Sequence, residues 1–356
     1  MLALVMSCKK FLYTCSKKHC FDEKDFVQLP DGNYKSANFV IDKESFLRFQ
    51  ETDKADFEAY TKDGVLYIEE QNPVLKFKEF EVGKPLGRGG SASVYLARKK
   101  STKNMYALKM IDLKASIPKI YDEDEDEDED ENRKSKHVSE KRTTLGDSHI
   151  QEEIVINLLL RHPNIVRCYG TFSEGDSLFM LFEYATMGSL YEKKLEPDEI
   201  KQVARDCFRA LEYAHSKNIC HRDIKLENIL IFQYGNEKVY KLADWGLGSI
   251  HGGKRLKGMF GTLDYIPPEM ISGSSNYDCN KVDIWMMGIV MYELTHGSPP
   301  FEAEKARDTY MMILRENPSY KRDLDPQCKD FISTLLQKKP ENRPTATEVL
   351  KHPFLA

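Results

Sequence analysis

The residues of this chain best suited to chemistry lie in one short segment, His221-Arg222-Asp223-Ile224-Lys225-Leu226-Glu227-Asn228-Ile229-Leu230. It places a carboxylate at Asp223, an ammonium two residues on at Lys225 and an amide five residues on at Asn228. All three fall in one tight loop between apolar runs. Sixteen residues after Asn228 comes a second carboxylate beside a glycine, Asp244-Trp245-Gly246. Far upstream, Leu86-Gly87-Arg88-Gly89-Gly90-Ser91-Ala92-Ser93-Val94 separates two β-type runs. Glycines let backbone amides approach phosphate oxygens with no side chain in the way. Taken alone, such a run is more often a plain hairpin turn. It opens a strand rather than a helix, which argues against a dinucleotide fold. Fifteen residues past Val94 lies Lys109, in an apolar strand where an ammonium is costly unless paired. Glu153, on the first turn of a Leu/Ile-rich helix, is its natural partner. Without other matches the two would read as unrelated surface charges.

These groups need elements to position them. From Phe80 the chain turns β-rich: Val82 to Leu86 leads into the glycine run, then Ser93–Arg98 alternates as a strand and Met105–Ile111 follows as another. A helix is expected over His149–Leu160, with apolar residues at 150, 154, 155, 158 and 159 on one face. Pro163 ends it, because the residue before a proline is pushed out of the helical region. Two β-type runs, Ile165–Phe172 and Leu178–Tyr184, come next, and from Pro197 the pattern is mostly helical. Between the strands and the first helix stand ten consecutive acids, Asp122–Glu131, followed by Arg133, Lys134, Lys136, Lys141 and Arg142. Such a block repels itself and buries nothing, so a solvated loop is expected. It reads as a bare surface insertion, or alternatively as a docking segment for a basic partner or a brake on its own basic flank.

The first 75 residues carry no strong period. Phe39–Ile41 and Val65–Ile68 read as short strands, the second after an Asp63-Gly64 turn. Cys8, Cys15, His19 and Cys20 cluster there, but their spacing fits no zinc pattern, and ordinary free thiols are expected.

Composition bounds the class. With 356 residues, 41% hydrophobic and 31% charged, the chain has material for two lobes and an extension, which excludes a wholly disordered or collagen-like chain. The net charge is −5, and it would be +5 without the acidic run, so nothing calls for a direct nucleic-acid partner. The longest apolar runs are far short of the ~20 residues a membrane helix needs, so no membrane span is expected. Met1–Met6 lacks the basic region of a signal peptide. Eight cysteines with no C-x-x-C pair read as reduced, intracellular thiols.

The glycine run, strand lysine, helix glutamate, His221–Asn228 loop and Asp244-Trp245-Gly246 occur in the order found in eukaryotic protein kinases, which this sequence resembles. The resemblance implies an α+β, two-lobed fold: a small antiparallel β-sheet lobe with one main helix, then a larger mainly α-helical lobe, with ATP between them. The implied divisions are an extension over 1–76 and a kinase domain over 77–356. Its small lobe is 77–184, with the acidic disordered insertion at about 114–147, and its large lobe is 185–356. The implied reaction is in-line transfer of the ATP γ-phosphoryl group to Ser/Thr hydroxyls of protein substrates. Asp223 would accept the hydroxyl proton and Lys225 would neutralise charge on the moving phosphoryl. Asn228 and Asp244 would hold Mg2+. Lys109, held by Glu153, would contact the phosphates under the Leu86–Val94 loop. Val94 and Ala107 would sandwich the adenine behind Phe182, and the backbone of Glu183 and Ala185 would bond its edge. Lys225 with Gly261-Thr262 resembles the serine/threonine class. Glu269 should pair with Arg343, and the Asp283–Gly288 segment should brace the catalytic loop.

Within that class, Gly261–Met270, Tyr277–Val282 before Asp-Ile-Trp, Pro299–Ala303 and Val349–Phe354 are similar to the Aurora family. So is a polar residue, Asn157, one turn after Glu153. That implies a role in mitosis or cell division and a nuclear, spindle or cytoplasmic location. It also implies basic Ser/Thr sites as substrates, with Glu227 as the carboxylate that meets them. Three departures stand out. Ala92 replaces the third loop glycine, which restricts the backbone. Trp245 replaces the usual Phe and brings a donor that wants a partner when buried; casein-kinase-2-like enzymes share this Asp-Trp-Gly and are held active without loop phosphorylation. Gly258 stands where Aurora kinases carry the activating threonine, so Arg222 lacks its usual phosphate partner. The chain is therefore expected to need no phosphorylation of its activation segment, or to use an activating protein partner. The rival readings are an active kinase of a non-mitotic pathway and a nucleotide-binding pseudokinase scaffold, the latter motivated by Ala92 and Gly258.

Overall fold

The computed structural model describes residues 75–88, 92–112, 146–175, 177–273 and 276–356, with the backbone of short strands among residues 2–70. Gly89, Gly90 and Ser91, the acidic run with its basic flank, and the Cys8–Cys20 cluster lie outside the described residues. The chain divides into two compact units. The first is Met1–Tyr34, Val40–Ile154 and Tyr169–Phe182; the second is Lys35–Phe39, Val155–Cys168 and Glu183–Ala356.

The leading residues form strands β1 (Leu2–Leu4), β2 (Val27–Gln28), β3 (Tyr34–Lys35), β4 (Phe39–Ile41), β5 (Phe46–Phe49), β6 (Phe57–Lys62) and β7 (Val65–Glu70). They share one sheet in the order β1-β7-β6-β5-β4-β3-β2. Both strands expected here are present. Strands β6 and β7 pair antiparallel from Lys62–Val65 to Phe57–Glu70, and the expected Asp63-Gly64 turn lies outside the described residues.

A second sheet follows, built from β8 (Phe80–Arg88), β9 (Ala92–Lys99), β10 (Met105–Asp112), β11 (Cys168–Glu174) and β12 (Ser177–Glu183), in the order β11-β12-β10-β9-β8. Helix α1 (Gly146–Leu159) is inserted between β10 and β11. The alternation of β9 and β10 sends Ala97 and Leu108 into a core with Phe80, Phe172, Phe179 and Leu181. Phe80, Phe172 and Phe179 stack within it, with centroids 6.2 and 5.1 Å apart. Helix α1 is buried over Glu153–Leu159 without a break, not only along the one face its apolar spacing suggested. A helix apolar nearly all round belongs inside a fold.

The second unit is mainly helical. It contains α2 (Pro197–Ser216), β13 (Ile219–Cys220), β14 (Ile229–Tyr234), β15 (Glu237–Leu242), β16 (Ser249–Ile250), α3 (Pro268–Ile271), α4 (Cys279–His296), α5 (Ala306–Arg315), α6 (Pro326–Leu335) and α7 (Ala346–Val349). The start of α2 is fixed by a capping box between Glu196 and Glu199 and by Pro197 at its first position. Asp278 caps α4 at its start, and Gly297, at φ +89°, ends it. Twelve residues of α4 are buried, which makes it the axis of this unit. The sequence pattern understated the β content here. Ribbons β13-β16 and β14-β15 flank the His221–Asn228 loop. Ile165 and Val166 likewise fall outside β11, because Val166 N–H donates to the Leu242 carbonyl of β15 at 2.9 Å. Among the described residues, no helix is long and apolar enough to cross a membrane.

Candidate active site

In the first unit the β9–β10 register decides which side chains sit together. Lys109 lies opposite Val94, and Ala107 opposite Leu96. Facing residues of paired strands share a face, so Val94, Ala107 and Lys109 lie on the face opposite to the core residues Ala97 and Leu108. Gly87 of β8 pairs with Val94 and joins that face. A Cβ at Gly87 would meet nothing within 4 Å, and its φ is ordinary. Nothing among the described residues requires a glycine there, whereas close approach of a ligand would. Leu86 and Arg88 lie on β8, and Ala92 and Ser93 open β9. Lys109 Nζ donates to Glu153 Oε1 at 2.6 Å, with the two side chains 13% and 9% exposed. Strand lysine and helix carboxylate therefore meet as expected.

In the second unit, Asp283 of α4 fixes the loop that holds Asp223. It is 0% exposed and accepts the backbone N–H of His221 at 2.9 Å and of Arg222 at 2.8 Å. His215 Nε2 lies 2.8 Å from the same carboxylate. The His221 ring continues the bracing. Its Nε2 is 2.9 Å from the Ala243 carbonyl, which can only accept, so Nε2 carries the proton. Nδ1 then accepts the Asp223 N–H at 3.3 Å. Asp223 follows a strained residue, Arg222, at φ +66°.

Around the Asp223 carboxylate the expected residues converge. Asn228 Nδ2 donates to the Asp223 carbonyl at 2.8 Å and to Oδ2 at 3.1 Å. Lys225 Nζ lies 3.0 Å from Oδ2 and donates to Thr262 Oγ1 at 2.9 Å. Thr262 in turn donates to Asp223 Oδ1 at 3.2 Å. A carboxylate, an ammonium, an amide and a hydroxyl thus form one closed network. Asp244 is tied to it through the backbone, since Ala243 N–H donates to the Asn228 carbonyl at 2.8 Å. Asp244 is exposed and takes φ +58°, a left-handed geometry that non-glycine residues adopt at a cost.

The donor set fits a hard cation. Asn228 has committed its NH2 to Asp223, so its oxygen is what it can offer a metal, and Asp244 offers a carboxylate. No cluster of three or more metal-ligating side chains occurs among the described residues. Mg2+ does not need one, because it is usually held by one or two protein oxygens plus substrate phosphates and water.

Three features of this unit were not anticipated. Glu183, expected to act through its backbone, uses its side chain as well: the carboxylate takes Lys241 Nζ at 3.0 and 2.8 Å and the Arg167 N–H at 2.7 Å. Ala185, two residues on, is buried. Little in the sequence marks Lys241, which stands in a strand that also carries Glu237 and Lys238. Second, Trp245 is 1% exposed, yet its Nε1–H finds no partner among the described residues, contrary to the expectation for a buried indole. The ring instead packs on His221 at 4.5 Å. Third, Glu227 and Glu302 are exposed near Glu293 and Asp264. Burial pushes the carboxyls of Glu293 and Asp264 up, and the neighbouring carboxylates push them further. The Glu269–Arg343 pair forms as expected, bidentate at 2.7 and 2.8 Å.

Residues 80–355 match the family described as Protein kinase domain. Aurora kinase B of Danio rerio is 34% identical over 84% of this chain and 86% of its own length. Serine/threonine-protein kinase Aurora-1 of Arabidopsis thaliana is 36% identical over 78% of this chain and 86% of its own. Aurora kinase of Schizosaccharomyces pombe is 35% identical over 78% and 71%.

Proposed function

We propose, for a chain that belongs to the Aurora family of serine/threonine protein kinases, that Asp223 is its catalytic base and that it acts on basic Ser/Thr sites during cell division. The observation that carries this reading is the closed network of Asp223, Lys225, Asn228 and Thr262. Asn228 and Thr262 hold both Asp223 oxygens, so the carboxylate is oriented before substrate arrives. A substrate hydroxyl gives its proton to Asp223 while its oxygen bonds to the γ-phosphorus of ATP. The bond to the β-phosphate oxygen breaks and ADP leaves. Lys225 meets the negative charge of the transferring group from the same side as Thr262. Lys109, oriented by Glu153, binds the α/β-phosphates, and the Leu86–Val94 segment covers them with backbone amides. Val94 and Ala107 enclose the adenine, and backbone groups of Glu183 and Ala185 bond its edge; Lys241 keeps the Glu183 carboxylate out of that role. When bound, magnesium supplies neutralising charge to the phosphate oxygens, and Asn228 and Asp244 are the residues that would hold it.

Glu227 and Glu302, exposed carboxylates near Glu293 and Asp264, support the substrate preference, because an arriving guanidinium is attracted to them. A panel of peptides with Arg, Ala or Glu ahead of one serine tests the reading. Arginine peptides should be phosphorylated with the highest kcat/KM, and Glu227→Gln should narrow their advantage. Equal rates across the panel would reject basic selectivity, and nucleotide binding without transfer would favour a scaffold.

A further inference from the structure

Arg222 precedes the catalytic aspartate and is 5% exposed, so its charge needs partners inside the protein. In a phosphorylated activation segment, a phosphate meets this need. Here the partners are neutral. Nε donates to the Leu247 carbonyl at 2.7 Å, Nη2 to the Gly248 carbonyl at 3.3 Å, and the Phe260 ring covers the guanidinium 4.6 Å from its centroid. Such a cation over an aromatic face is attracted by the ring quadrupole, most strongly where water is excluded.

The same ring explains Gly258. That glycine takes φ +92°, and a Cβ on it would lie 2.7 Å from Phe260 Cε2 and 3.1 Å from Cζ. A side chain at 258 and the ring at 260 therefore compete for one space, and the ring occupies it. Beyond Phe260 the segment runs against the catalytic loop. A Cβ on Gly261 would meet the Arg222 carbonyl at 2.8 Å, and Thr262 then bonds Asp223. Arg222–Phe260 and Asp223–Thr262 form two successive links between the same two stretches. Upstream, Leu256 and Tyr277 exchange backbone bonds of 3.0 and 2.9 Å and anchor the other end of the segment.

We propose that Phe260 is the positioning residue that holds the activation segment on Arg222 in place of a phosphate, so that Thr262 reaches Asp223 with no modified residue in the segment. The proposal rests on the kinase reading above and adds to it a mechanism of constitutive assembly.

The test compares the full-length chain, phosphatase-treated and checked by intact mass, with Phe260→Leu and Phe260→Tyr. Leucine keeps apolar bulk and loses the ring; tyrosine keeps the ring. Wild type should be active without phosphate. Phe260→Leu should lower kcat by about ten- to thirty-fold, with KM for ATP within about two-fold, and Phe260→Tyr should stay within about three-fold of wild type. Limited trypsin digestion gives a readout independent of transfer. Cleavage after Lys254, Arg255 and Lys257 should quicken in Phe260→Leu and stay at the wild-type rate in Phe260→Tyr. The proposal is overturned if Phe260→Leu matches wild type in both assays. It is also overturned if phosphatase silences wild type and phosphate maps between Asp244 and Glu269. Wild type that transfers nothing in any state would count against the kinase reading, and the digestion comparison would then decide the role of Phe260.

Discussion

Removing the Arg343 guanidinium should be among the most destabilising single changes available in the second unit. Arg343 is 1% exposed and donates to five acceptors: both Glu269 oxygens at 2.7 and 2.8 Å, and the carbonyls of Gln337, Lys281 and Lys338 at 2.7, 2.9 and 3.3 Å. It also lies 4.9 Å from the centre of the Trp285 ring. Arg343→Met leaves Glu269, itself 7% exposed, as an uncompensated buried charge. Breaking such a pair from one side typically costs about 3–5 kcal/mol. At roughly 2–4 °C per kcal/mol for a domain of this size, the midpoint should fall by about 10 °C. Arg343→Lys should recover little of this, since an ammonium offers three donors from one point to five spread acceptors. The double variant Glu269→Met/Arg343→Met should regain at least half of the loss, because a buried pair replaced by apolar groups is often near neutral. Urea and thermal unfolding of the full chain measure all three. A loss below about 1 kcal/mol for Arg343→Met, or a double variant no better than the single, would refute the reasoning that the pair's value lies in mutual compensation.

Further outcomes follow from the same geometry. Glu153→Gln replaces a charge-assisted bond to Lys109 with a neutral one and should lower kcat/KM for ATP about ten- to one-hundred-fold in steady-state assays, with little change in thermal midpoint. Gly288→Ala should destabilise by about 1–3 kcal/mol, although alanine is the better helix former. Its Cβ would lie 2.7 Å from Leu336 Cδ2 and 2.9 Å from Leu335 Cβ, so overpacking wins over propensity, as a denaturant midpoint would reveal. Burial, with help from Arg343, pulls the Lys338 ammonium down to about 8. The unfolded chain then holds more protons than the folded one between about pH 8 and the ordinary lysine value, so stability should rise with pH across that window. Lys338→Met should flatten the rise in urea titrations at pH 7.5 and 10, and an unchanged slope would argue against the burial effect.

Much of the site was legible because its residues are close in sequence and chemically constrained. Asp223, Lys225 and Asn228 occupy six consecutive positions, and only a compact loop can follow from them. Lys109 and Glu153 are far apart, but a lysine in an apolar strand demands a partner, and the following helix supplies Glu153 midway along its length, where its buried stretch begins. The Arg222–Phe260 contact was not legible. It joins residues 38 positions apart through a ring face, which leaves no charge pattern in the sequence. The Glu183–Lys241 pair leaves only a weak trace in the sequence, because Lys241 stands in a mixed strand beside Glu237 and Lys238. The strands of the first 70 residues are not legible, apart from those read at Phe39–Ile41 and Val65–Ile68, because short strands give too few alternations to establish a period. Ile165 and Val166 were read as strand because they are apolar and β-branched. Val166 N–H bonds to Leu242 of β15 and Ile165 N–H to the His162 carbonyl instead, a choice made by the tertiary fold.

The most direct test of the account is γ-phosphoryl transfer from Mg-ATP to an arginine-containing serine peptide by phosphatase-treated wild type and by Asp223→Asn. Loss of a general base typically costs about 10²–10⁴-fold. The account predicts transfer by wild type that falls by that factor in Asp223→Asn, with nucleotide affinity retained. Equal transfer by the two proteins would contradict it.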